Sequence, residues 1–252
     1  MKSSLFKIIF CTTLALSALP SSAQSSTVLI VGATPTAVPF NFLDTKKNSL
    51  QGVMIDITNA LGEVLGFTPE LLPTTFSALI PSLQTKKIDM ISSAFAITAP
   101  RAEVVDFSNI LFSYGEAIIV NAKDKTEYKS TNDFEGKVVG VQTGTVTVAP
   151  MKDVAGIKEL RMYDTMQDMI REVSVGRIDV AVGDGPVMLY NLANSGVKTV
   201  RAATSYEQQM QINIAIAVRK GNKNLLDNIN RGIAEIKADG TLNKILEKWQ
   251  VN

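Results

Sequence analysis

Ile88-Asp89-Met90-Ile91-Ser92-Ser93-Ala94-Phe95-Ala96-Ile97-Thr98-Ala99-Pro100-Arg101 is the stretch on which the fold turns. It opens as a short apolar run of the kind a buried parallel strand makes, and breaks into small residues where such a strand ends. Ligands of open α/β sheets gather outside the carboxyl ends of strands, so Ser93, Ala94, Phe95 and Ala96 are expected at the edge of a crevice. Thr98-Ala99-Pro100 then reads as a helix start, with Thr98 as cap and Pro100 in the first turn. Arg101 carries a planar fork that suits both oxygens of a carboxylate. It fits equally well as a surface arginine paired with Glu103 or Asp106.

Working outward, strand and helix alternate. Residues 27–31 are β-branched and apolar, and the loop after them holds Pro35 and Pro39, which forbid a helix. Apolar positions at helical spacing from 54 to 65 stop at Gly66, a strand follows at 69–72, and a helix beginning at Phe76 ends on Lys86-Lys87, favourably against its dipole. Strands are expected at 115–120, 138–141, 158–161, 178–182 and 212–218, a short capped turn at 133–137, and helices at 166–175, 186–193 and 223–237 before a last one ending near Trp249. The alternation predicts an α/β protein.

The plan of residues 79–94 recurs at 169–185: helix, basic residue, Ile-Asp, apolar run, small residues. The two aspartates, Asp89 and Asp179, lie 90 positions apart. Two units built alike suggest two α/β lobes pointing strand ends at a shared cleft; any α/β chain also repeats helix–strand units.

Composition narrows the chemistry. At 252 residues with 46% hydrophobic content, the chain has ample material for a core in one large domain or two modest ones. Lys2 and Lys7 flank an apolar segment leading to Pro20 and Ser21-Ser22-Ala23, which reads as a secretory signal peptide over residues 1–23, too short to span a bilayer comfortably. Cleavage there takes the 25 basic residues to 23 against 24 acidic ones, a net charge of −1 that suggests no nucleic-acid or membrane partner. Cys11 is the single cysteine and lies inside that segment, after Phe10 where a lipoprotein signal wants a small residue. No thiol, disulfide or cysteine metal site is expected in the mature chain, and without histidine neither a histidine triad nor a histidine metal site can be built.

Two further places carry candidate chemistry. Val138-Val139-Gly140-Val141 runs into Gln142-Thr143-Gly144-Thr145-Val146, where a strand ending in Gly-Thr before a helix leaves N–H groups to favour an anion or forms an ordinary capped turn. Asp184 sits between Gly183 and Gly185, facing the cleft or capping the next helix. If these are ligand groups, the guanidinium of Arg101, the amides of Thr145 and Val146 and the carboxylate of Asp184 match the two charged ends of an α-amino acid. No general acid and base pair, metal cluster or phosphate loop stands out, and the Gly140–Gly144 turn lacks the lysine of a nucleotide loop. No cofactor is expected.

Taken in order, Pro39-Phe40-Asn41-Phe42, Gly52 with Asp56, Ile97-Thr98-x-x-Arg101, Asp106-Phe107-Ser108, Gly144-Thr145, Gly176 to Asp179, Asp184 and Ala238-Asp239-Gly240-Thr241 resemble the family 3 extracellular solute-binding proteins. These are the periplasmic receptors of polar amino-acid ABC importers. The resemblance implies a two-lobed, type II periplasmic-binding fold with residues 24–114 and 212–252 in lobe 1, 115–211 in lobe 2, and hinges near Tyr114 and Gln211. It implies that Arg101 holds a ligand carboxylate with main-chain help from Thr145 and Val146, that Asp184 takes the ammonium, and that Phe76 lies against the side chain. Ser93, Ala94 and Gln142 complete the expected binding set. It further implies a periplasmic, non-catalytic monomer that closes on its ligand and delivers it to a membrane permease. The alternative on this fold is an enzyme resembling cyclohexadienyl dehydratases, with Asp184 as its acid.

The chain departs from the family pattern at Thr34 (often acidic), Ala37 (often aromatic), Met54 (the first acid of Gly-x-acid-x-acid) and Ala96 (often a hydroxyl near the ammonium). Losing one ring face removes about 1 kcal/mol of contact and opens space. Neutral polar or modified amino acids are therefore expected ahead of arginine and lysine.

Overall fold

A computed structural model describes residues 27–194 and 196–251. The signal-peptide reading of residues 1–23, with Cys11, lies outside the described residues. The opening β-branched run forms β1 (Thr27–Ala33), and the proline-bearing loop folds into a small antiparallel sheet of β2 (Thr36–Ala37), β3 (Asn41–Asp44) and β4 (Ser49–Gln51). α1 (Val53–Leu65) ends on Gly66, whose φ of 73° provides the left-handed cap. β5 (Phe67–Pro73), a 3₁₀ turn at Phe76–Ala78, α2 (Leu79–Gln84), β6 (Met90–Ala96), α3 (Ala99–Val104), β7 (Val105–Phe107) and β8 (Phe112–Tyr114) follow. Next come β9 (Glu116–Asn121), β10 (Val138–Gln142), α4 (Val148–Asp153), β11 (Glu159–Tyr163), α5 (Met166–Ser174), β12 (Val180–Asp184), α6 (Gly185–Asn194) and β13 (Val200–Ala202). The chain ends through β14 (Ile212–Arg219), α7 (Lys223–Ala238) and α8 (Thr241–Lys248).

Two mixed sheets result. One has the order β5-β1-β6-β14-β7 with β8 also on β14; the other runs β11-β10-β12-β9-β13. In each, three parallel strands meet an antiparallel fourth: β14, which returns from near the end of the chain, and β9, which opens the second unit. The alternation of β6 feeds both faces of the first sheet. Ile91 and Phe95 pack with Leu79 and Leu83 of α2, while Met90, Ala94 and Ala96 join a core with Ile57 and Leu61 of α1 and Ile229, Ile233 and Ile236 of α7. Each fully buried aliphatic side chain contributes about 1.5–3 kcal/mol. Among the described residues no helix is long and apolar enough to cross a membrane.

The 90-residue echo is a repeated structural device. Asp89 Oδ2 accepts the Ile30 N–H at 2.9 Å, and Asp179 Oδ2 accepts the Val138 N–H at 2.7 Å. The backbone N–H of each aspartate returns to the carbonyl of that same residue, at 2.7 and 2.8 Å. Each carboxylate thus pins its strand to the parallel neighbour, β6 to β1 and β12 to β10. The preceding isoleucine needs a glycine opposite: a Cβ at Gly32 would lie 2.4 Å from Ile88 Cδ1, and one at Gly140 2.5 Å from Ile178 Cδ1.

One expectation is corrected. β6 does not break at Ser93; it continues to Ala96 through an irregularity opposite Ala215–Ala217 of β14, with Ala94 at a φ of 46°. Pairing with β14 carries the strand past the point where its own apolar run fails. The helix expected from Phe76 starts as a 3₁₀ turn and ends at Gln84, before the two lysines.

Candidate ligand-binding site

Arg101 is positioned as its sequence implies. Thr98 Oγ1 accepts the Arg101 N–H at 3.3 Å and Pro100 lies in the first turn, so α3 begins immediately beside the end of β6. The side chain is buried, and it pairs with neither of the two acids near it in sequence: Glu103 is exposed and Asp106 binds Lys220 at 2.9 Å. Its Nη1 donates to the Ala96 carbonyl at 2.6 Å and its Nη2 to the Gly144 carbonyl at 2.8 Å. The guanidinium lies 3.9 Å over the Phe95 ring and 5.6 Å from that of Phe76, an arrangement that favours a cation. Burial lowers its pKa to about 10, against the pull of Asp184.

Asp184 ends β12 and is equally buried. Its Oδ2 accepts the Tyr114 hydroxyl at 3.1 Å. Burial raises its pKa to about 6, overcoming the Tyr114 hydrogen bond and the Arg101 charge, which both act the other way. Burial and the neighbouring carboxylate hold the Tyr114 hydroxyl well above its ordinary range. Arg101 and Asp184 therefore sense each other, yet no ion pair within 4.0 Å joins them among the described residues. The two opposite charges are both desolvated, and their direct hydrogen-bond partners are neutral.

The remaining expected residues divide. Phe76 sits on the Arg101 side, tilted 50° against Phe95 at 5.8 Å, and Gly144 lies beside it, where a Cβ would stand at ordinary contact distance, 4.0 Å from Phe76 Cδ1 and 3.5 Å from Ser77 Cα. The Gly-Thr turn differs from the expected free amides: the Thr145 N–H is already bonded to the Gln142 carbonyl at 3.2 Å, because the turn closes on itself before α4 begins at Val148. Thr145 Oγ1 also bonds Gln142 O, at 2.7 Å, and Thr147 Oγ1, at 2.8 Å. Val146 is half-buried next to that turn. Ser93 Oγ accepts the Thr34 N–H at 2.9 Å, and Gln142 Nε2 donates to the Asp164 carbonyl at 2.8 Å, so both serve their own sheet ends. Ala94 lies buried in the β6 irregularity. Met54, at the departure from the acidic pattern, is wholly buried, and the Ala96 carbonyl is held by Arg101.

The sequence put Phe95 at the crevice edge and Tyr114 near a hinge, but gave neither its role as an aromatic support. Phe95 lies directly under the guanidinium. Tyr114, stacked on Phe40 at 5.2 Å, reaches Asp184 from the other sheet, a pairing of residues 70 positions apart that no local pattern signals.

A sequence profile of the bacterial extracellular solute-binding proteins, family 3, matches residues 29–252. The ABC transporter arginine-binding protein 1 of Escherichia coli (strain K12) is 31% identical over 230 residues, covering 90% of this chain and 92% of that protein. Among solved structures, an ancestral arginine-binding protein bound to glutamine is similar with a TM-score of 0.83 and 36% identity, over 89% of this chain and 98% of the other. The ancestral amino acid-binding protein AncCDT-1, a precursor of cyclohexadienyl dehydratase, is similar with a TM-score of 0.79 and 32% identity, over 88% and 95%. With its two mixed α/β sheets and a match along nearly all of its length, the chain belongs to the bacterial extracellular solute-binding proteins, family 3.

Proposed function

We propose that this protein is the receptor of an ABC importer and captures an α-amino acid or amino-acid-like zwitterion between two lobes. The observation that carries the reading is the buried pair Arg101 and Asp184, opposite charges held apart with neutral partners. A buried charge without a counter-charge is costly, and a ligand bearing a carboxylate and an ammonium relieves both at once. Arg101 takes the carboxylate, Asp184 the ammonium, and the Phe76 ring the side chain. Phe95 and Tyr114 orient the two charged groups.

In this reading residues 24–114 and 212–252 form lobe 1, 115–211 lobe 2, and the chain turns near Tyr114 and Gln211. The division is supported by the two separate sheets and by the crossing of the chain between them at β8–β9 and again before β14. A ligand touching both lobes favours the closed form, and that form is what the permease meets. The protein is exported to the periplasm by residues 1–23 and works without catalysis. Names of relatives support an amino-acid ligand. Thr34 supplies no acid at the side-chain end, so neutral polar and modified amino acids rank ahead of arginine.

A thermal-shift screen over amino acids, opines, dicarboxylates and sugars tests the class, because a ligand at 100 times its dissociation constant adds about 2.7 kcal/mol of stability. Amino acids or their derivatives are expected to raise the melting temperature. Stabilisation by a sugar or plain dicarboxylate alone would overturn the assignment. The second reading, a dehydratase, draws on the raised pKa of Asp184 and the likeness to AncCDT-1. Incubation with prephenate or arogenate tests it: turnover establishes the enzyme, and unchanged substrate removes this second reading.

A further inference from the structure

Side-chain hydrogen bonds cross between the two sheet units at Arg101, Tyr114 and Gln167. The first two involve groups assigned to the ligand. Gln167 stands apart from them, in the first turn of α5 after the Thr165 cap. Both hydrogens of its amide are used, Nε2 donating to the Thr36 carbonyl on β2 at 2.8 Å and to Asn191 Oδ1 on α6 at 3.1 Å. Asn191 is itself oriented, because its Nδ2 donates to the Val187 carbonyl one turn back at 2.8 Å. Turning the Gln167 amide round would set oxygen against both acceptors, so its orientation is fixed by the network. The consequence is that Gln167 Oε1 is buried with no partner.

Closing the cleft therefore changes the bonding of this residue. It gains a donor bond from Gln167 to Thr36 across the two units, and that bond exists only while β2 and α5 are together. Opening releases Thr36 and leaves the Asn191 bond within the unit. We propose that Gln167 is an interlobe latch, a positioning residue that sets the balance between open and closed forms of the free protein without touching the ligand. A single neutral hydrogen bond is a small term, so a modest contribution from ligand contacts outweighs it. The proposal rests on the lobe division given above and is independent of which ligand is bound.

The test is single-molecule energy transfer on ligand-free protein. The sequence contains no cysteine after Cys11, so Lys87→Cys and Lys152→Cys, both at exposed positions and one in each unit, take dyes specifically. Gln167→Glu sets a carboxylate against the Thr36 and Asn191 oxygens; Gln167→Met keeps the length and removes both the donor and the stranded acceptor. Gln167→Glu is expected to lower the closed-to-open ratio about fivefold or more, with Gln167→Met between it and the parent. Apparent affinity for whichever amino acid the thermal screen returns falls by the same factor as the closed population. A free-state distribution identical in all three proteins would overturn the proposal. So would a change confined to the melting temperature, which would make Gln167 a prop between α5 and α6. The energy-transfer readout needs no ligand, so it stands even if the amino-acid assignment fails.

Discussion

Arg101→Ala is expected to abolish useful ligand binding while leaving the protein folded. The guanidinium is buried and its side-chain counter-charge, Asp184, is out of ion-pair reach, so the ligand carboxylate becomes its one close anionic partner. Removing one member of a desolvated charge pair costs about 2–4 kcal/mol, roughly 30- to 1000-fold in affinity. The fold survives because the α3 cap uses the backbone N–H of residue 101, which alanine retains, and because taking a desolvated cation out of the interior relieves a burial cost. Arg101→Lys rescues poorly, since a single ammonium cannot span the Ala96 and Gly144 carbonyls while also meeting a carboxylate. Calorimetric titration with circular dichroism as a control checks this; a lysine variant binding as tightly as the parent would contradict it.

The largest expected effect on stability lies at Glu116, where the chain has just entered the second sheet. Its carboxylate is 1% exposed. Oε1 accepts the Tyr206 hydroxyl at 2.9 Å and the Gln209 N–H at 2.6 Å, and Oε2 accepts the Met210 N–H at 3.0 Å. One side chain thus binds the outgoing crossing to the segment that returns toward β14. Glu116→Ala strands two backbone donors and a phenol, each costing about 1–3 kcal/mol, so a loss of about 3–5 kcal/mol is expected. Urea unfolding followed by circular dichroism measures it. A loss under about 1 kcal/mol would mean that water replaces the carboxylate and that the crossings are held by other contacts.

The sequence announced the fold class through its alternation and through Ile88-Asp89 and Ile178-Asp179, because an aspartate that must reach a neighbouring strand leaves the same local mark in both units. Thr98 and Pro100 announced where Arg101 would be held. The short strands β7, β8 and β13 left no such mark, since three residues carry no period and owe their state to β14 and β9 beside them. Nor was it legible that Ser93, Gln142 and the Thr145 amide are committed to their own sheet ends. Donor and acceptor types are visible in a sequence; which of them are already satisfied is decided by pairings 3 to 59 positions away. Tyr114 and Gln167 were hidden for the same reason, as each acts on a residue of the other unit.

Everything in the functional reading rests on Asp184 being an anion that awaits a cation, and the pH dependence of binding measures that charge directly. In the free protein burial sets its pKa at about 6, so it is mostly protonated at pH 5 and mostly ionised at pH 7.5. A ligand ammonium beside it stabilises the ionised form and lowers that pKa in the complex. Binding at pH 5 must then release a proton, and affinity is expected to weaken about tenfold between pH 7.5 and pH 5. Arg101, with a pKa of about 10, stays charged across this window and contributes no slope. Calorimetric titrations in two buffers of different ionisation heat give both affinity and proton count. The account predicts weaker binding at pH 5 with close to one proton released, and loss of both effects in Asp184→Asn. Affinity that is unchanged or tighter at pH 5 would contradict it, because an anion or a neutral solute gains nothing from an ionised Asp184.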